Sequence, residues 1–120
     1  MDSERKVIGN KGEDLAAAFL RSRGFRILER NARVSRIGEI DIVALDRETL
    51  VFVEVKTRHD VTFGSPEEAV TASKLRTLAA CAESWQAAKG WTARPYRIDV
   101  IAVDLAGGEP AIRHLESVGG

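Results

Sequence analysis

Gly38-Glu39-Ile40-Asp41-Ile42-Val43-Ala44-Leu45-Asp46, a polar break at Arg47-Glu48-Thr49, then Leu50-Val51-Phe52-Val53-Glu54-Val55-Lys56-Thr57-Arg58: the reading of this stretch decides the fold. Two runs rich in β-branched residues joined by a short charged break predict a β-hairpin. A symmetric loop of two residues (47–48) or four (46–49) sets Asp41 directly opposite Glu54. Both carboxylates then share one face. An odd-length loop or a bulge would separate them, because a one-residue slip moves every side chain to the other side of the sheet.

Alternation along the second strand places Leu50, Phe52, Glu54, Lys56 and Arg58 on that face, with Val51, Val53 and Val55 on the other. Directly opposed side chains in an antiparallel ladder lie about 5 Å apart, and like charges there are destabilising. Two carboxylates among Val43, Leu45, Leu50 and Phe52 therefore need a cation. Carboxylate oxygens are hard ligands, and Mg²⁺ commonly takes one or two of them together with waters and a substrate phosphate. Lys56 would orient or deprotonate an attacking water, or neutralise charge growing on a phosphate. The plainer alternative is a Glu54–Lys56 or Asp41–Lys56 salt bridge on a solvated sheet face.

The 120 residues suit one domain spanning the chain, ordered from about residue 9 to 118, with disorder expected at 1–6 and 119–120. Hydrophobic content of 44% and charged content of 30% fit an ordinary globular domain. The longest apolar run, Leu15–Leu20, is too short to span a bilayer, and the charged N-terminus lacks a secretory segment, so a cytoplasmic protein is expected. The single Cys81 makes no internal disulfide, and two histidines, His59 and His114, give no zinc pattern. Net charge is zero, yet between Arg21 and Arg36 six arginines face one acid, Glu29. That run is either a solvated basic surface or a phosphate-contacting patch beside the hairpin. Arg33, Arg36, Arg58 and Lys74 are the candidate nucleic-acid contacts.

Around the hairpin, Gly9 or Asn10 can cap a helix running to about Arg23, with Leu15, Ala16, Phe19 and Leu20 as its apolar stripe and Gly24 as its stop. Glu13 borders that stripe, where the helix macrodipole alone would favour it. Phe25–Arg30 reads as a strand, Asn31–Ile37 as irregular and His59–Gly64 as a loop. Ser65-Pro66-Glu67-Glu68 opens a helical turn. Thr71 caps a long helix whose stripe is Leu75, Leu78, Ala79, Ala82 and Trp85, ended by Gly90. Trp85 is a core anchor, whereas Trp91 and Tyr96 are undecided. Pro95–Asp104 and Ala111–Val118 are further strands, and Asp99 pairs with Arg97 or Arg94. The order predicts an α/β layer fold: a mixed sheet of about five strands flanked by two main helices.

These residues resemble the YraN-like family, which belongs with the PD-(D/E)xK nuclease superfamily and its archaeal Holliday-junction resolvases. The resemblance runs from about Gly9 to Asp104. It rests on Gly12-Glu13 with Ala17, Asn31 and Arg33, Gly38-Glu39-Ile40-Asp41, Phe52-Val53-Glu54-Val55-Lys56-Thr57-Arg58, Phe63-Gly64-Ser65-Pro66 through Ala69-Val70, Lys74, and Arg97-Ile98-Asp99-Val100. Ile40 stands where the superfamily name has proline.

The resemblance implies a restriction-endonuclease-like core. It makes Asp41 and Glu54 metal ligands with the Val55 carbonyl, Lys56 the catalytic lysine and Glu13 an additional catalytic acid. It further implies Mg²⁺, with Mn²⁺ as substitute, hydrolysing DNA phosphodiester bonds in branched or junction DNA. A homodimer would follow from the need to cut two strands symmetrically. The rival expectation is a nucleic-acid- or protein-binding accessory module that keeps the fold without turnover.

Overall fold

A computed structural model describes residues 2–60, 66–91 and 94–119, with side chains from residue 11 onward. Five strands form one sheet in the order β1-β2-β3-β4-β5: β1 Arg26–Val34, β2 Gly38–Asp46, β3 Thr49–Arg58, β4 Tyr96–Asp104 and β5 Ala111–Leu115. Only β3 and β4 run parallel. The connection between them carries a short 3₁₀ turn, Pro66–Ala69, and helix α2, Ala72–Lys89. The mixed sheet and its two helices match the expected class.

The hairpin register is the one expected of a symmetric loop. Asp46 pairs with Thr49 and Ile42 with Val53, so the loop is the two-residue Arg47-Glu48. Arg47 adopts φ +58°, the positive value that tight hairpin turns use to match strand twist.

Two cores lie on opposite sides of the sheet. Helix α1, Asp2–Ser22, lays Ala16, Ala17 and Leu20 on Ile42, Ala44, Val51, Val53, Ile101 and Val103. Helix α2 lays Cys81, Ala82 and Trp85 on Ala32, Val34, Ile40, Val43, Leu50 and Phe52. Phe52 meets the rings of Trp85 and Tyr96 in T-shaped contacts, and the Trp85 indole N–H donates to Glu29 at 3.0 Å. Trp85 is the core anchor its spacing predicts. Trp91 packs against Trp85 from the helix end, while Tyr96 is partly exposed.

Several boundaries differ from the sequence reading. Helix α1 begins at Asp2, well before the expected cap at Gly9 or Asn10, which puts Glu13 in mid-helix and removes the macrodipole account of it. Strand β1 does not stop at Arg30. Backbone pairing carries it to Val34↔Gly38 by passing through a register shift between Ile27 and Glu29 and a left-handed Asn31, φ +52°. The strand expected over Ala111–Val118 ends at Leu115. Thr71 and Gly90 bracket α2 as predicted: the Thr71 hydroxyl accepts from the Lys74 N–H at 3.1 Å, and Gly90 takes φ +72°. The Ser65 cap, most of the His59–Gly64 loop and the terminal residues Met1 and Gly120 lie outside the described residues.

Candidate functional site

The acids gather where β2 parts from β3. Pairing of the two strands ends at Ile42↔Val53, one step short of Asp41 and Glu54. Strict alternation also ends there, because Ile42 and Ala44 pack under α1 while Ile40, two residues earlier, packs with Val43 under α2. Asp41 sits at this break. Its Oδ2 accepts the Val55 N–H at 2.8 Å, which ties the Asp41 carboxylate to β3.

The Asp41 and Glu54 carboxyl groups meet closely enough for one to hydrogen-bond the other. Glu54 is buried, at 4% exposure, which corrects the picture of a solvated polar face. Burial is the main reason the Asp41 carboxyl is pushed up to about 8, followed by its hydrogen bond and charge repulsion with Glu54; the Val55 amide works the other way, and the Glu13 charge adds a smaller upward push. At neutral pH one proton would sit in the pair if no cation did.

Lys74 comes to this corner from the first turn of α2. Its Nζ lies 3.2 Å from Glu54 Oε2, an approach suited to an ion pair but not aligned as a hydrogen bond, for Oε2 is otherwise a buried oxygen without a donor. The salt-bridge alternative had named Lys56 for this role. Strand alternation keeps Lys56 on the Glu54 side, half-buried, and its amine makes no ion pair among the described residues.

Glu13 is buried at 8% exposure on α1 and, among the described residues, is bound on one oxygen only. Asn31 Nδ2 donates to Oε1 at 3.0 Å and Arg30 Nε donates to the same atom at 3.1 Å, while Arg30 Nη2 reaches Asp14 at 2.6 Å. The backbone next to Glu13 explains its placement. Gly12 lies so close to β3 that any Cβ would run into the Thr57 side chain, so α1 presses directly on the strand end that carries the acids. Arg30 and Asn31 were not among the sequence candidates. Their signal was an Asn, a residue tolerant of left-handed backbone, inside a β-branched and basic run.

The candidate nucleic-acid residues scatter. Arg33 and Arg36 are exposed and without ion pairs among the described residues. Arg58 is tied to Asp104 at the matched end of β4. Lys74 is held by Glu54. The arginine run is likewise divided, with Arg30 facing α1 and Arg23 lying over the Phe19 ring at 4.7 Å.

The donor set at the corner is carboxylate oxygen, which is what a hard divalent cation takes. Among the described residues no three His, Cys, Asp or Glu side chains form a cage, so an ion here would rest on Asp41 and Glu54 with backbone, water or substrate oxygens completing its shell. The surface hollow lined by Glu48, Trp91, Arg94 and Pro95, about 460 Å³, lies at the turn end of the hairpin and contains none of these acids. Asp99, fully buried, belongs to a separate cluster: Arg97 Nε donates to it at 3.0 Å, His114 Nε2 lies 2.8 Å away, and the Ser117 N–H donates at 3.0 Å. Of the two partners expected for it, Arg97 is the one it has.

Fold and site together define an α/β protein with a mixed five-stranded sheet between two helices and a paired-carboxylate corner at a hairpin end. The chain belongs to the uncharacterised protein family UPF0102, whose family model matches residues 12–103. It is 47% identical over 110 residues to a UPF0102 protein of Anaeromyxobacter dehalogenans, covering 92% of this chain and 81% of the relative. A UPF0102 protein of an Arthrobacter species is 46% identical over 116 residues, covering 96% of this chain and 98% of that one. One from Geobacter sulfurreducens is 47% identical over 111 residues, covering 92% and 86%. No helix among the described residues is long and apolar enough to cross a membrane.

Proposed function

We propose that this chain is a metal-dependent endonuclease of the PD-(D/E)xK type, acting on DNA phosphodiester bonds with branched or junction DNA as its substrate. The observation that carries the reading is the meeting of Asp41 and Glu54 at the end of one β-hairpin, with Lys56 one step along the same strand face. Buried Glu54 beside half-buried Asp41 lifts the Asp41 carboxyl, and a Glu54 oxygen is left without a hydrogen-bond donor, a cost that a divalent cation would remove.

Asp41 and Glu54 would hold Mg²⁺, or Mn²⁺ in its place, which when bound polarises the scissile phosphate and acidifies water. The chain's own groups do the rest. Lys56 orients the attacking water or offsets charge on the phosphate, the Val55 N–H fixes the Asp41 carboxylate, and the exposed Arg33 and Arg36 meet the DNA backbone. Glu13 stands as an additional acid beside the pair.

The ion pair between Lys74 and Glu54 favours a second reading, an accessory module that retains the fold while an internal amine takes the place of the cation. One experiment separates them: cleavage of junction, flap and linear DNA with Mg²⁺ or Mn²⁺ by the native chain, Asp41→Asn and Lys56→Ala. The nuclease reading expects each substitution to lower cleavage by about 10²-fold or more. Cleavage that both variants retain removes the assigned site, and a native chain that binds these DNAs without cutting them supports the accessory module.

A further inference from the structure

Asn31 occupies a costly position. It lies within β1, yet its backbone is left-handed, φ +52°. The β1–β2 ladder records Arg30↔Ile42 and Ala32↔Ile40 but skips the pair between them, Asn31 and Asp41. The residue in the strained conformation is therefore the one opposite the acid of β2. Such strain persists where surrounding structure enforces it, and it gathers at functional sites.

The side chain shows what the conformation achieves. Asn31 and Arg30 both donate to Oε1 of Glu13, a carboxylate with 11% side-chain exposure, and no described group donates to Oε2. Two donors on one oxygen fix the plane of the carboxylate and leave the other oxygen without a donor among the described residues. Arg30 is itself shared with Asp14, so Asn31 is the donor committed to Glu13 alone.

We propose that Asn31 is a positioning residue of the acid corner: its left-handed backbone presents the carboxamide to Glu13 Oε1, and Glu13 Oε2 is thereby held ready for water bound to a divalent cation on the Asp41–Glu54 pair. This rests on the reading of the corner as a divalent-cation site. Asparagine suits the task because it tolerates the left-handed region better than other side chains and carries a neutral donor short enough to reach across to α1.

Asn31→Gly tests the proposal, since glycine keeps the backbone conformation without strain and deletes only the carboxamide. Thermal unfolding of the metal-free protein should be unchanged or shifted upward. Mn²⁺ binding, measured by calorimetry without DNA, should weaken roughly tenfold, the loss typical of removing a group that orients a ligand. In a Glu13→Gln background the same substitution should add no further loss, because the carboxylate it positions is gone.

Native affinity in Asn31→Gly overturns the proposal, as does an equal loss in both backgrounds. A native chain that binds no Mn²⁺ overturns it together with the cation reading on which it rests. Native binding with an unaffected Asn31→Gly leaves that reading standing and removes only the role of Asn31.

Discussion

Lys74 Nζ stands 3.2 Å from Glu54 Oε2, so the acid pair of the hairpin is met by an amine from a different element, the first turn of α2. The amine and a divalent cation would serve the same oxygen. Lys74→Met should cost about 1–3 kcal/mol in the metal-free protein, the usual penalty for stranding a buried polar partner. Saturating Mn²⁺ should narrow that deficit. Chemical denaturation with and without the ion measures it, and an equal deficit in both conditions would show that amine and ion do not compete.

Asp41 gives the stability of the protein an unusual pH dependence. Its carboxyl is raised to about 8 in the fold, against about 4 in an unfolded chain. Between those values the folded state keeps a proton that the unfolded state has lost, so metal-free stability should fall as pH rises through the window and level off above it. Asp41→Asn should flatten that slope. At the alkaline end it should be neutral or stabilising by up to about 1 kcal/mol, through relief of like-charge repulsion. Thermal melts across the pH range decide this, and a marked loss of stability in Asp41→Asn would count against repulsion in the pair.

Asp99 should show the opposite sign. Burial alone would raise its carboxyl, but the hydrogen bonds from His114, Arg97 and the Ser117 N–H outweigh burial and hold it below the ordinary value. Its contribution is complete above the unfolded value of about 4 and disappears as the solution becomes more acidic. At neutral pH Asp99→Asn should cost about 3 kcal/mol, since it strips a buried charge from partners that remain. Mn²⁺ affinity should be unchanged, which calorimetry on the same variant would check.

Gly12→Ala tests how closely α1 must sit on β3. The added Cβ collides with Thr57 and should destabilise by about 1–3 kcal/mol, the range for overfilling a packed contact. Thr57→Ala in the same chain should return part of the loss. Denaturation of the single and double variants measures both effects, and additive losses would mean that the helix approach is not the cause.

The hairpin and its register were legible because they are local. A short polar break between β-branched runs, read as a symmetric loop of two or four residues, gives the register that brings Asp41 and Glu54 together, and Thr71 with Gly90 marks α2 by chemistry confined to single turns. What stayed hidden depends on distant segments. Nothing near Lys74 in sequence reveals Glu54 as its partner, and Glu13 finds Arg30 and Asn31 only once α1 lies across β1. The Asp99 cluster joins β4 to the turn after β5 for the same reason. Asp41 itself shows the limit of alternation: periodicity places it with Val43, whereas the strands separate at that residue.

The irregularities of β1 bear on solubility as well. It lies at the margin of the sheet, where a straight, regular strand would offer free amides and carbonyls to any other chain. Its register shift near Glu29, the backward-turned Asn31 and the exposed Arg26 and Arg33 make that margin a poor template for recruitment. A chain with β1 smoothed into regular alternation would exchange its guard against aggregation for a gain in local order.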